Sequence, residues 1–195
     1  NLTEKVVKTI ETKQYEEYIG GNGIATAIWF DLVENKMISG FDPRNTLIIM
    51  AGLFAGTLVP AANRAEMVGT QVQSYPTEWF TRSSMGGRFP GILKYAGYDG
   101  IILEGTSEKP IWLNIIDGEA ELNDASDLWG LDTYETQTAI SKDVSGKGVT
   151  EKPAVLAIGP AGENRSRIAA IIHDCGCAFG QGGFGSIWGT KKLKA

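Results

Sequence analysis

The spacing of apolar residues changes along the chain, and the changes outline its elements. Between Lys13 and Val33, Tyr15, Tyr18, Ile19, Ile24, Ile28 and Leu32 recur at intervals near three and four, which places them on one helical face. Gly20-Gly21-Asn22-Gly23 interrupts that pattern, either as a turn between two helices or as a glycine contact with a cofactor or a following domain. Thr133–Val144 has the clearest helical pattern, with Thr133 placed to cap, Glu135 and Thr136 in the first turn and Gly146 just past the end. Gly91–Ala96 reads as a shorter helix behind Pro90, since proline is tolerated where a helix N–H lacks a partner. Strand-like runs are Asn1–Ile10, Thr46–Met50, Arg64–Gln73, Tyr98–Gly105, Pro110–Ile116, Ala154–Ile158 and Arg167–His173. Asp42-Pro43 marks a turn, and Asp117-Gly118 joins Pro110–Ile116 to Glu119–Asn123 as a two-residue hairpin. These signals predict an α+β fold: two mainly antiparallel sheets with flanking helices, in one domain over 1–195.

Composition adds one strong bias. Eight glycines lie between Gly159 and Gly189 in otherwise apolar sequence, a density that costs chain entropy unless the backbone there must be approached closely. From Pro160 onward Arg165, Arg167, Lys191, Lys192 and Lys194 face only Glu163 and Asp174, net +3, while the rest of the chain is net −8. The expectation is a basic glycine cradle for an anionic ligand. Gly180-Gln181-Gly182-Gly183-Phe184-Gly185 matches G-x-G-x-x-G, but the acidic residue that a dinucleotide site needs about 20 positions later is missing, and no Walker string occurs.

With 43% hydrophobic and 21% charged residues the chain is of ordinary globular composition, and its net charge of −5 argues against a general nucleic-acid surface. No apolar run reaches the ~18 residues that span a bilayer, and no signal-peptide pattern opens the chain, so no membrane association and a cytoplasmic location are expected. The first residue is not Met, which suggests a start inside a longer domain. Cys175 and Cys177 are too close to staple a long loop, and a reduced compartment is expected.

Three places carry candidate chemistry. Arg64 is either a surface charge or, beside a glycine loop, a planar fork for phosphate. Ser84-Met85-Gly86-Gly87 forms a second glycine cradle, feeding Arg88-Phe89-Pro90 and a helix start whose free N–H groups suit an anion. His173, Asp174, Cys175 and Cys177 imitate a metal site, but a C-x-C pair without a second pair fits neither zinc nor an iron–sulfur cluster, and the set reads as structural. No Ser/His/Asp set for nucleophilic catalysis is present, and Trp112 and Trp129 read as packing residues.

Five strings in order resemble the N-terminal domain of the tungsten-containing aldehyde ferredoxin oxidoreductase family: GGNG at Gly20–Gly23, AGLFAGT at Ala51–Thr57, MGGRFPGILKYAGYDGIILEG at Met85–Gly105, IGPAGEN at Ile158–Asn164 and GGFGSIWGTKKLKA at Gly182–Ala195. The resemblance covers nearly the whole chain. It implies a saddle of sheets carrying tungstopterin, a bis-molybdopterin with tungsten or molybdenum gripped by pterin dithiolenes, in an enzyme that oxidises aldehydes to carboxylic acids with ferredoxin as electron acceptor. The implied cofactor-binding residues are Arg64, Ser84, Met85, Gly86, Gly87, Cys177, Ala178, Gly180, Gln181 and Gly182. Magnesium would be held by main-chain carbonyls of Ser84 and Ala178, and no catalytic side chain falls in this chain. By the same resemblance the 4Fe-4S cluster belongs to later iron–sulfur and helical domains absent here, the natural reading frame is about three times this length, partners are ferredoxin or an iron–sulfur subunit, and a homodimer is possible.

Three positions depart from the family pattern. Members with established aldehyde chemistry commonly carry arginine at the positions of Cys177 and Gln181, and family members have Asn where Ser84 stands. NRAEMVG with SSMGG is closer to the branch containing the tungsten subunit of class II benzoyl-CoA reductase, so an aromatic-ring reductase is a further expectation, as is a stand-alone domain without activity.

Overall fold

The computed structural model describes residues 1–145 and 152–195. After a 3-10 turn at Thr12–Tyr18 come helix α1 (Asn22–Leu32), strands β1 (Leu47–Ala51), β2 (Ala65–Thr70) and β3 (Phe80–Met85), helix α2 (Phe89–Tyr95) and strands β4 (Gly100–Leu103), β5 (Ile111–Ile116) and β6 (Glu119–Asp124). A 3-10 turn at Ser126–Leu128 leads into α3 (Thr133–Ser145), followed by β7 (Leu156–Ala157), α4 (Pro160–Glu163), β8 (Ile171–His173), β9 (Cys177–Phe179) and α5 (Phe184–Thr190). The six pairings between these strands are antiparallel, an isolated bridge between Ile111 and Leu193 being parallel, and helices flank the sheets, as the α+β expectation requires. The strands group as a four-stranded sheet in the order β3-β2-β1-β4, a three-stranded sheet β7-β8-β9 and the β5-β6 hairpin. None of the described helices is long and apolar enough to cross a membrane.

The central sheet is buried on both faces, which is why β1 reads as an unbroken apolar run. Leu47 and Ile49 join Met67, Met85, Phe89, Phe179, Phe184 and Trp188 in the main core. Ile48 and Met50 point the other way and pack with Val68 under Ile24, Ala25, Ile28 and Trp29 of α1. A third cluster sets Ile140 and Val144 of α3 against Trp112 of β5 and Ala157 of β7, so Trp112 packs as expected. Trp129 is half-buried beneath the Lys192 ammonium, 4.9 Å from the ring centroid.

Several elements differ from the sequence reading. Asn1–Ile10 is not a strand: Leu2 sinks into the core and its N–H donates to Glu104 O at 2.8 Å, while Asn1 Oδ1 accepts from Thr3 N and Glu4 N, so a turn forms at once. The run beyond it leaves Val6, Val7 and Ile10 exposed. The cap of α3 is Asp132 in place of Thr133: its Oδ1 accepts from Tyr134 N and Glu135 N, both at 2.8 Å, and Glu135 returns a bond to Asp132 N, closing a capping box. Gly146, expected just past that helix, lies outside the described residues. Strand β3 runs through polar TRSS sequence, and α5 forms within the glycine-rich segment.

Half of the eight glycines of that segment, Gly162, Gly183, Gly185 and Gly189, serve close packing of backbone on backbone. A Cβ on Gly185 would meet Ala170 O at 2.5 Å and Ala169 O at 2.8 Å; one on Gly162 would meet Gly185 O at 2.7 Å; one on Gly189 would overlap Gly162 O. Helices α4 and α5 therefore touch at main-chain distance, and α5 is buried from Phe184 to Gly189.

Candidate functional site

β3 is an edge strand, and its end is where the expected site residues meet. The β2–β3 register pairs Ala65 with Met85 and Glu66 with Ser84, which carries Arg64, one residue before β2, to the level of Gly86. A Cβ on Gly86 would find only Asn63 O at 3.8 Å and Arg64 Nη1 at 3.9 Å, so space is open above that backbone. From the other side comes the turn after β9: Gln181 N donates to Ser83 Oγ at 3.1 Å and Gly182 N to Gln73 Oε1 at 2.8 Å. Ser84–Gly87 and Cys177–Gly182 thus lie side by side with Arg64 beside them. Thr81, Arg82, Ser83, Ser84, Gly180 and Gln181 line an open, polar cleft between the two segments.

The ten expected residues occupy this region in different ways. Gly180 faces open space, as Gly86 nearly does. Gly87, at φ 92°, leaves its missing side chain's place to Cys177 Sγ and His173 Cδ2, which a Cβ would meet at 2.8 and 2.9 Å. Gly182 is packed under Thr81 and Phe184. Met85 points into the core, so only its backbone is available to a ligand. Ala178 pairs with Ile172 on β8, Arg64 and Gln181 are exposed, and Ser84 Oγ donates to Glu66 Oε1.

His173 fixes the floor of the turn. It is fully buried, with Nδ1 3.0 Å from Val155 O and Nε2 accepting from Phe89 N at 3.2 Å. That pairing requires a neutral ring with its proton on Nδ1, and burial pushes the His173 pKa down in the same direction. Burial alone would raise the Asp174 carboxyl, but the Arg88 guanidinium, 3.2 Å away, and neighbouring charge hold it below the usual carboxylate range. The His173–Cys177 cluster is spread apart: His173 is buried, Cys175 is exposed and Cys177 packs on Gly87.

Four of the five cations of the basic C-terminal segment are engaged elsewhere, contrary to the cradle expectation. Lys191, 1% exposed, donates to Pro43 O and Gly105 O. Lys194, 0% exposed, donates to Leu131 O and Glu163 Oε1. Arg167 lies against Phe41 and Tyr75 and bonds Val72 O and Glu78, and Lys192 covers Trp129. These cations are as buried or as engaged as they are because they tie distant loops together. The G-x-G-x-x-G string does sit between β9 and α5, yet β9 pairs antiparallel with β8, and Gly185 N is already bonded to Ala169 O. It therefore lacks the parallel strand–loop–helix setting of a dinucleotide fingerprint.

Sequence reading passed over one side chain that lines the cleft, Arg82, and one that holds it from the neighbouring strand, Glu66. Arg82 follows no motif, and only the alternation of β3 turns it outward, with its Nη1 3.2 Å from Glu66 Oε2 and 3.2 Å from Ser84 Oγ. Glu66 holds both Arg82 and Ser84 from the neighbouring strand.

Comparison with known proteins identifies the fold's family. The family model described as aldehyde ferredoxin oxidoreductase, N-terminal domain, matches residues 1–195. The tungsten-containing aldehyde ferredoxin oxidoreductase of Pyrococcus furiosus is 39% identical over 192 residues, 95% of this chain and 30% of that protein. The aliphatic sulfonate oxidoreductase, WOR-like subunit, of the same organism is 33% identical over 207 residues, covering 100% of this chain and 32% of its own length. Among solved structures, a chain of the active-site complex BamBC of benzoyl coenzyme A reductase, in complex with 1,5 dienoyl-CoA, superposes with a TM-score of 0.86 at 35% identity, over 99% of this chain and 28% of that one. The chain spans about a third of the length of these relatives. Matched along its whole length, the chain belongs to the aldehyde ferredoxin oxidoreductase N-terminal domain family.

Proposed function

We propose that this chain is the cofactor-binding domain of a tungsten or molybdenum bis-pterin oxidoreductase, one that oxidises an aldehyde to a carboxylic acid and passes electrons to ferredoxin. The observation that carries the reading is the convergence of Ser84–Gly87 and Cys177–Gly182 beside Arg64, with open space above Gly86 and Gly180. The residues fit a pterin phosphate: two backbones that a ligand can approach, a guanidinium with no partner among the described residues, and a polar cleft between them. Bound tungstopterin would supply the redox chemistry at its metal. The chain's part is to hold and orient it. Arg64 would contact a phosphate, Gly86 and Gly180 would admit the ring system, and main-chain carbonyls of Ser84 and Ala178 would share a magnesium ion, a hard cation suited to oxygen donors. The iron–sulfur cluster, a ferredoxin or iron–sulfur partner subunit and any homodimer contact would involve the remainder of a longer polypeptide, in the cytoplasm.

A second reading, an aromatic-ring reductase of the benzoyl-CoA type, is favoured by the structural match to BamBC, and would use the same cradle.

In full-length protein, Arg64→Ala is expected to lower pterin content several-fold while leaving the melting temperature within about 1–2 °C, because exposed substitutions away from packing change stability little. Gly86→Val is expected to leave almost no bound pterin, since its branched side chain fills the open space. The φ of Gly86 lies outside the region that penalises side chains, so the variant still folds. Pterin content is read by fluorescence after oxidative release. Wild-type content in both variants would refute the cradle.

A further inference from the structure

The cleft contains a cation that the family motifs do not point to. Arg82 lies on the edge strand, its side chain 58% exposed, and lines the cleft with Ser84, Gly180 and Gln181. Among the described residues only its Nη1 is engaged, by Glu66 Oε2 and Ser84 Oγ at 3.2 Å each, which leaves the Nε and Nη2 donors without a protein partner. The Glu66 side chain is 16% exposed and also receives the Ser84 hydroxyl, so its carboxylate is fixed from two sides and fixes the guanidinium in turn. A guanidinium held by one nitrogen, with the rest of its planar fork free at the mouth of a polar cleft, is arranged for bidentate recognition of a tetrahedral oxyanion. The surroundings make the need plain. Lys191 and Lys194 are buried, Arg88 is turned toward Asp174, and Arg167 is bonded to Glu78, so Arg64 and Arg82 are the cations these two strands present on the site.

We propose that Arg82 is a phosphate-binding residue of this cleft, gripping a phosphate monoester or diphosphate group with Nε and Nη2, while Glu66 and Ser84 position it. The proposal deepens the cofactor reading above and rests on it for the identity of the molecule that carries the phosphate. Arg64 and Arg82 then bind from opposite ends of one stretch of β3, four residues or about 13 Å of strand apart between Arg82 and Gly86, the glycine that faces Arg64. Such a span suits a ligand with more than one anionic group and leaves a single phosphate to one guanidinium at a time.

The test uses full-length protein produced in a host unable to make pterin cofactor, titrated calorimetrically with inorganic pyrophosphate at low salt. Wild-type protein is expected to bind, Arg82→Gln to bind roughly tenfold or more weakly, and Arg82→Lys to fall between them, because an ammonium supplies charge without the fork. Thermal melts of the three proteins are expected to agree within about 1–2 °C, as an ion pair to a largely exposed arginine contributes little. Failure of the wild type to bind pyrophosphate, or equal binding by Arg82→Gln, would overturn the proposal. Pterin content in a pterin-producing host separates the two readings. Wild-type content in Arg82→Gln, with pyrophosphate binding also unchanged, sinks the role of Arg82 and leaves the cofactor reading standing. Pyrophosphate binding that depends on Arg82 in a protein that never acquires pterin sinks the cofactor reading alone.

Discussion

Replacing Lys194 by methionine is expected to destabilise the domain by about 3–5 kcal/mol, the usual consequence of removing one partner from a buried ion pair. Lys194 is 0% and Glu163 5% exposed at the side chain, with 2.5 Å between Nζ and Oε1. The ammonium also donates to Leu131 O at 2.7 Å, and Glu163 accepts from Gly130 N on both oxygens. Methionine fills the volume but leaves a carboxylate without its counter-charge and a carbonyl without its donor. The double variant Glu163→Gln/Lys194→Met is expected to recover part of the loss, because the uncompensated charge is gone. Urea unfolding gives the comparison, and a Lys194→Met midpoint close to wild type would contradict it. Lys191 differs in having carbonyls in place of a carboxylate at hydrogen-bond distance, and burial pulls its pKa down from 10.5 to about 8. Its folded value lies below its unfolded value, so the unfolded chain binds more protons across that interval, and this group's contribution to stability rises as pH climbs from about 8 toward 10.5.

Gly189→Ala is expected to cost upward of about 4 kcal/mol and to lower the melting temperature by roughly 8 °C or more. The added carbon would overlap Gly162 O and lie 2.6 Å from Gly162 C and 3.0 Å from Glu163 N. All three are main-chain atoms of α4, so no side chain can swing aside. Relief requires α4 and α5 to separate, and α5 is buried along nearly its whole length. A thermal melt decides it: a variant melting within about 2 °C of wild type would show that the two helices have room that the packing denies.

The parts of the fold that were legible in sequence are those whose signal is local. Asp117-Gly118 closes the hairpin with Ile116 opposite Glu119, and the apolar run at Leu47–Ala51 is a strand covered on both faces. The period of α3 was equally clear, although the cap fell one residue earlier, on Asp132. β3 escaped because its outward residues are polar and its pairing with β2 is a long-range fact. The glycine run escaped for a different reason. Glycine is written the same way whether a ligand or another backbone comes close, and only the fold separates Gly180, open to solvent, from Gly185 and Gly189, pressed against carbonyls. Net charge misled likewise, since counting Lys191 and Lys194 as surface cations ignored that each is buried on oxygen acceptors. The candidate site was legible as a list from family resemblance, and its juxtaposition came from the β2–β3 register and the bond from Gln181 to Ser83. Arg82 and Glu66 belong to no motif and needed the strand's geometry to be seen.

The central claim is that this domain holds a pterin-bound metal, and the most direct measurement is elemental and pterin analysis of the full-length protein, purified anaerobically from cells supplied with tungstate and molybdate. The account predicts about two pterins for each tungsten or molybdenum atom, about one such metal atom per chain, and magnesium that leaves when the pterin is released. Purified protein that carries neither pterin nor either metal, while folded and supplied with both, would contradict it.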